Sequence, residues 1–167
     1  MLRHEGRSAC LDPTPGRLKK IADQAITKQA ITKDEGIPME VLDHNTQPLE
    51  KWRDGVMTLM RASATVQSKQ LCIFDQFCDP GLGAPMHIHA VEEVLEVYEG
   101  TAEIYLRNES MIVTANQSVL IPAGARHGFK NVGTGILRVR ATLAAAIFEA
   151  SYDNSNELSR RYVPQDA

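Results

Sequence analysis

The sequence predicts an all-β fold, a single antiparallel barrel or sandwich preceded by a short helical arm. Three observations carry this. From Pro38 onward, short runs rich in Val, Ile and Leu are separated every eight to twelve residues or so by Gly, Pro, Asn and Asp. Two of these runs alternate cleanly between apolar and polar positions, as a sheet with one buried face requires. The chain of 167 residues, 43% hydrophobic and 23% charged, has the size and composition of one ordinary globular domain.

In chain order, residues 1–16 contain Pro13, Pro15 and Gly16 without periodicity and are expected to form an arm. Leu18, Ile21, Ala22, Ala25 and Ile26 follow at helical spacing, and the segment Asp34-Glu35-Gly36-Ile37-Pro38 ends that helix. The arm and helix together span residues 1–37. Strands are expected over Val56–Met60, Leu71–Phe77, Val94–Tyr98, Ala102–Leu106, Met111–Val113, Val119–Ile121 and Ile136–Leu143, within a barrel spanning 38–150. In the fourth of these, Ala102, Ile104 and Leu106 face the core while Glu103 and Tyr105 face away. In the last, Leu137, Val139, Ala141 and Leu143 oppose Arg138, Arg140 and Thr142. Residues 151–167 turn polar and are expected to form a tail or short helix.

Composition narrows the function classes. The formal net charge of -3 and the pI near 5.9 disfavour a nucleic-acid partner, since phosphate binding needs clustered Lys and Arg. Arg17, Lys19 and Lys20 make only the solvated face of a helix. No stretch approaches the roughly twenty apolar residues that span a bilayer, and the start of the chain lacks the apolar run of a signal peptide. Cys10, Cys72 and Cys78 make an odd, widely spaced set, which suits a reducing compartment and small core residues rather than disulfides. The expectation is a soluble cytoplasmic protein.

Two segments carry chemistry. The first runs from Gly81 through Met86-His87-Ile88-His89 to Glu93 and Gly100. Residues two apart on a strand share a face, so His87 and His89 can both look inward while Ile88 looks out. Glu93 shares a face with Leu95 and Val97, whereas Glu92 points the other way. The second segment is Asn116 to Asn131, in which Pro122-Ala123-Gly124 makes a turn and His127 opens the next strand. If the two segments are neighbouring hairpins, His127 reaches the first pair, and three imidazoles and one carboxylate can share a metal ion.

The two segments resemble the paired motifs of the cupin superfamily. Gly81, His87, His89, Glu93 and Gly100 fit the first pattern at every spacing, and Pro122, Gly124, His127 and Asn131 fit the second. Asn116 stands where glycine is usual, and Asn is the residue that best replaces glycine at positive φ. The resemblance implies a double-stranded β-helix, or jelly-roll, barrel. It also implies one divalent transition metal per chain (Fe, Mn, Ni, Cu, Co or Zn) bound by His87, His89, Glu93 and His127. A small-molecule ligand or substrate would meet the metal through oxygen, with Glu93 also a candidate proton-transfer group.

The favoured activity is dioxygenase-like. An isomerase, cyclase or lyase that only polarises a carbonyl, and a non-catalytic binding barrel, stand as alternatives. Twenty-one residues from Arg17 to Ile37 are too few for a helix-turn-helix regulator. The arm is expected to cross a partner subunit and so to favour a homodimer. Trp52, Phe74, Tyr98, Phe129 and Arg61 are candidates for the barrel mouth. Arg126 is expected on the surface, and His4 and His44 are given no role.

Overall fold

The computed structural model describes residues 40–153 and 156–165. The expected arm and helix, with Cys10 and His4, lie outside the described residues. The strands all belong to the unit that begins at Leu42.

Among the described residues thirteen strands succeed one another. They are β1 (Glu50–Arg53), β2 (Val56–Ala62), β3 (Cys72–Cys78), β4 (Gly83–Ile88), β5 (Glu93–Glu99), β6 (Thr101–Leu106) and β7 (Glu109–Thr114). Then come β8 (Gln117–Ile121), β9 (His127–Asn131), β10 (Leu137–Leu143), β11 (Phe148–Glu149), β12 (Ser151–Tyr152) and β13 (Arg160–Arg161). The barrel is built from a six-stranded sheet, β1-β2-β3-β10-β5-β8, and a five-stranded sheet, β12-β4-β9-β6-β7. A two-stranded ladder, β11-β13, completes it. All pairings are antiparallel.

Each expected strand is present within a residue or two of its predicted ends. The parity in β10 is as read: Leu137, Val139, Ala141 and Leu143 are buried while Arg138, Arg140 and Thr142 are only half-buried. Burying such a row removes apolar surface from water at roughly 25 cal/mol per Å2, which is what holds two half-polar sheets face to face. The core joins both sheets, with Ile104 from the five-stranded sheet and Ile121, Leu137 and Val97 from the six-stranded one all at most 1% exposed.

Two of the turns by which the chain passes between sheets are especially short. One is the β5–β6 corner at Gly100. The other is the β7–β8 corner, where Asn116 holds φ 66° and donates its N–H to Val97 O at 2.9 Å. The left-handed conformation expected of Asn116 is therefore present, at the position where the sequence departs from the usual glycine.

The C-terminal segment is not a simple tail or helix. Ser151 and Tyr152 pair with Ile88 and His87, and Arg160 and Arg161 pair with Glu149 and Phe148. The segment thus adds a strand to the five-stranded sheet and crosses the barrel mouth. Polar composition hides it, because two-residue ladders leave no periodicity in a sequence.

Candidate metal centre

His87 sits near the end of β4, directly opposite His127 at the start of β9. An extra residue in β4 between Ala84 and His87 makes a bulge there, the device that re-aims a side chain without ending a strand. Pro85 falls inside this bulge, where its missing N–H costs no ladder bond. His89 lies one residue beyond β4, and its carbonyl is anchored by Gly124 N–H at 2.8 Å. Gly124 itself has φ 73° in the turn that delivers His127. Glu93 opens β5 and is paired with Ile121 and Leu143 on either side.

These elements bring His87, His89, Glu93 and His127 together as read from the sequence. All four are buried, at 5%, 2%, 3% and 1% exposure. Their donor atoms lie within 4.8 Å of one another. The nearest approaches are His87 Nε2 to His89 Nε2 at 3.0 Å and His127 Nε2 to Glu93 Oε2 at 2.7 Å. His89 Nε2 stands 3.8 Å from the same Glu93 oxygen. Glu92 is exposed and points away, as expected.

The far side of each ring decides what the near side can do. His87 Nδ1 donates to Pro85 O at 2.7 Å, His89 Nδ1 to Glu149 O at 2.5 Å, and His127 Nδ1 to Ala125 O at 2.9 Å. A carbonyl can only accept, so each Nδ1 carries the proton and each neutral ring turns its Nε2 lone pair toward the others. With all three rings neutral, three lone pairs and a carboxylate converge, and without an ion only a proton on His127 Nε2, donated to Glu93 Oε2, offsets that carboxylate. This is the donor arrangement of a metal-binding imidazole, fixed in tautomer by its outer partner. Metal–nitrogen bonds of about 2.1 Å place adjacent ligands about 3 Å apart, and two of the observed spacings lie there. The residues fit a divalent transition ion.

The electrostatics agree. Burial, with the neighbouring imidazoles adding to it, pushes His87 down to about 4. Burial likewise lowers His89. Burial alone would depress His127, but the hydrogen bond and charge of Glu93 outweigh it and raise that ring. Glu93 is held below the ordinary carboxylate range, because the bond to His127 and the nearby rings overcome the cost of its burial.

A small, narrow cavity adjoins His87 and Glu93, walled by Trp52, Phe74, Phe129, Phe148 and Tyr152. The aromatic wall is tight: the Trp52 ring centroid lies 4.8 Å from Phe74 and 4.9 Å from Phe148. Trp52, Phe74 and Phe129 are thus core residues that also line the cavity. Tyr98 and Arg61 do not line it: they stand on the outer face of the six-stranded sheet, where Arg61 pairs with Asp75 and Tyr98 with Arg140. Five β5 positions separate Tyr98 from Glu93, an odd number that puts them on opposite faces. Arg61 lies within an irregularity in the β2–β3 pairing, between Met60 and Ala62.

Phe148, Glu149, Tyr152, Gln76 and Arg53 also border the site and escape the reading of the sequence. One signal points to Gln76, its inward parity with Phe74 and Cys78. Arg126 is partly exposed and pairs with Asp153. Cys72 and Cys78 are buried free thiols pushed up to about 12 by that burial, hence packing residues and not nucleophiles.

Comparison with known proteins identifies the barrel. Residues 76–144 match the cupin domain. A crystallised RmlC-like cupin from Shewanella frigidimarina superposes with a TM-score of 0.58 at 18% identity, covering 65% of this chain and 93% of that one. The polyketide cyclase RemF from Streptomyces resistomycificus superposes with a TM-score of 0.60 at 16% identity, covering 72% and 89%. A 53-residue stretch is 42% identical to mannose-1-phosphate guanylyltransferase 2 of Escherichia coli O157:H7; it spans 32% of this chain and 11% of that enzyme. Residues 76–144 are therefore a cupin domain, within a barrel of the fold those structures share, and the two motifs fold into one buried His3Glu cluster. Among the described residues no helix is long and apolar enough to cross a membrane.

Proposed function

We propose that this protein is a metalloenzyme acting on a small oxygen-bearing molecule, with one divalent transition metal per chain held by His87, His89, Glu93 and His127. The observation that carries the proposal is the set of three imidazole Nε2 atoms and one carboxylate converging beside a narrow, largely apolar cavity. A bound ion with three imidazoles and a carboxylate keeps open coordination positions and supplies Lewis-acid or redox chemistry at them. The chain's own residues do the rest. Trp52, Phe74 and Phe148 exclude water, and the Nδ1 bonds keep the rings in one tautomer. Glu93 Oε2, 2.7 Å from His127 Nε2, can hold a proton taken from substrate.

A dioxygenase-like reaction leads this reading. The second reading is a cyclase or isomerase that only polarises a carbonyl, favoured by the likeness to a polyketide cyclase. The reading also includes a symmetric homodimer and a cytoplasmic setting, which suits the two buried free thiols. Elemental analysis of the protein beside a His87→Ala, His127→Ala double variant tests the site, with about one metal per chain expected and its loss in the variant. Turnover of small enediols and diketones under air and under argon then separates the two reactions. Activity lost under argon supports the oxygenase, and activity kept with zinc supports the cyclase. No metal under any loading condition would overturn both.

A further inference from the structure

The narrow cavity beside the metal ligands holds about 20 Å3 of free space, room for about one water molecule. A substrate reaches the ligand residues only if part of the wall moves. An open groove of about 450 Å3 lies on the outside, lined by Tyr105, Met86, Lys130 and Glu157 among others. Arg53, Ala84 and Phe129 line both spaces and so form the partition between them. Arg53 alone of these carries charge. Its Nε donates to Glu157 Oε1 at 2.9 Å and its Nη2 to Glu157 Oε2 at 3.3 Å, a two-pronged pair with each side chain 16% exposed. Its Nη1 donates to Gly83 O at 2.7 Å.

The two sides of the partition differ in what can yield. A Cβ on Gly83 would meet Phe129 O at 2.1 Å, so β4 and β9 are already in their closest contact there. Glu157, in contrast, lies between β12 and β13, each two residues long. We infer that the Arg53–Glu157 pair is the gate to the metal cavity, and that Arg53 receives the carboxylate of a small anionic substrate in place of Glu157. The inference rests on the cavity being a substrate site, as proposed above. The exchange is chemically even. An incoming carboxylate reproduces both hydrogen bonds that Glu157 gives up, while a neutral amide leaves the guanidinium without a counter-ion. Gly83 O keeps Arg53 in place throughout, and Lys130 adds a second positive charge to the groove.

Trp52 is the only tryptophan in the chain, precedes Arg53 and lines the cavity, so its fluorescence reports occupancy. The test is a stopped-flow titration of the full chain, zinc-loaded and metal-free, with glycolate and with its neutral isostere glycolamide. The expected preference for glycolate is about tenfold, the size of one charge-assisted contact. Arg53→Met should abolish the preference in both forms of the protein. Glu157→Gln should tighten glycolate about threefold to fivefold by removing an internal competitor, and leave glycolamide unchanged. Equal binding of the two probes by the wild type would overturn the inference, as would no response to glycolate. So would a Glu157→Gln variant that admits neither probe faster, which would make the pair a structural clasp with no part in entry. A chain that retains no zinc would sink the metalloenzyme reading, while the metal-free titration would still decide the gate.

Discussion

Two buried carboxylates, eighteen positions apart, are treated in opposite ways by the same barrel. Asp75 sits on the outer face of the six-stranded sheet, 0% exposed, and three arginines close around it. Arg61 reaches it at 2.6 Å, Arg138 at 2.9 Å and Arg140 at 2.7 Å, with Arg140 also stacked 4.5 Å over the Tyr98 ring. Glu93, 3% exposed, faces inward and meets only imidazoles, whose Nδ1 protons are already given to backbone carbonyls. A buried charge must be balanced. Asp75 is balanced by three permanent cations of the chain, whereas Glu93 has only the titratable ring of His127 until a cation from outside takes the place of its proton. The contrast gives a usable criterion: an ion cluster is structural when its donors are spent on its acceptors, and a binding site when acceptors and lone pairs remain in excess.

Removing ligands breaks the contrast most severely. His127→Ala or His87→Ala should lower metal affinity by more than about a hundredfold, since loss of an outer partner alone costs about ten- to a hundredfold. Competition against a chelator measures it. Asp75 variants should leave that affinity unchanged. Asp75→Asn should instead lower folding stability by about 3 kcal/mol, because it strands three partly buried guanidinium groups around a neutral amide. Urea unfolding of the metal-free protein measures that second effect. A loss of metal affinity in Asp75→Asn as large as that in His127→Ala would erase the distinction.

How far the contrast is legible in the sequence depends on parity. The even spacing of Glu93 to Leu95 and Val97 places it inward, and motif spacing selects the four ligands; the strands deliver both. Asp75 lies in an apolar run, Cys72 to Cys78, in which no alternation marks it, and its partners come from β2 and β10, far away in the chain. Pairing of that kind is a property of register, which a single strand does not encode. The walls of the cavity are hidden for a related reason. Trp52 and Phe74 are visible as aromatics, whereas Phe148 and Tyr152 belong to strands too short to show a period. Glu149 enters the site through its carbonyl, and a backbone atom leaves no trace in residue type.

Acid should act on the two regions in separate windows. Burial by itself would raise Asp75, but its three arginines outweigh that and hold it at about 2, against an ordinary 3.8. A depressed carboxylate contributes stability that is complete above the ordinary value and fades as pH falls through the folded one. Asp75 thus contributes about 2 kcal/mol that disappears between roughly pH 4 and pH 2. In the metal-free protein His127 titrates above its ordinary 6.5. Its contribution is complete below that value and is lost as pH rises through the raised one, so the metal-free protein should weaken with rising pH in this range. The metal-loaded protein should do the reverse, because the ion needs the unprotonated ring. Opposite slopes in thermal melts of the two forms above pH 6.5 are the expected result, and parallel slopes would remove His127 from the ligand set.

The smallest expected effect tests whether the outer cluster is over-supplied. Arg138 is the most exposed of the three arginines, with 32% of its side chain accessible, and gives Asp75 a single hydrogen bond. Arg138→Met keeps an unbranched apolar stem beside Phe77 and Tyr98, which the guanidinium now covers at 5.6 Å and 5.3 Å. Asp75 retains four hydrogen bonds from Arg61 and Arg140. The loss should therefore be about 1 kcal/mol or less, the worth of a half-exposed ion pair. The same substitution in Arg61→Met, whose side chain is 18% exposed and donates twice to Asp75, should cost more. If Arg138→Met proves as damaging as Asp75→Asn, then the three cations act as one unit and none of them is spare. The outer cluster would then be as tightly balanced as the inner one, and only the source of the balancing charge would separate the two.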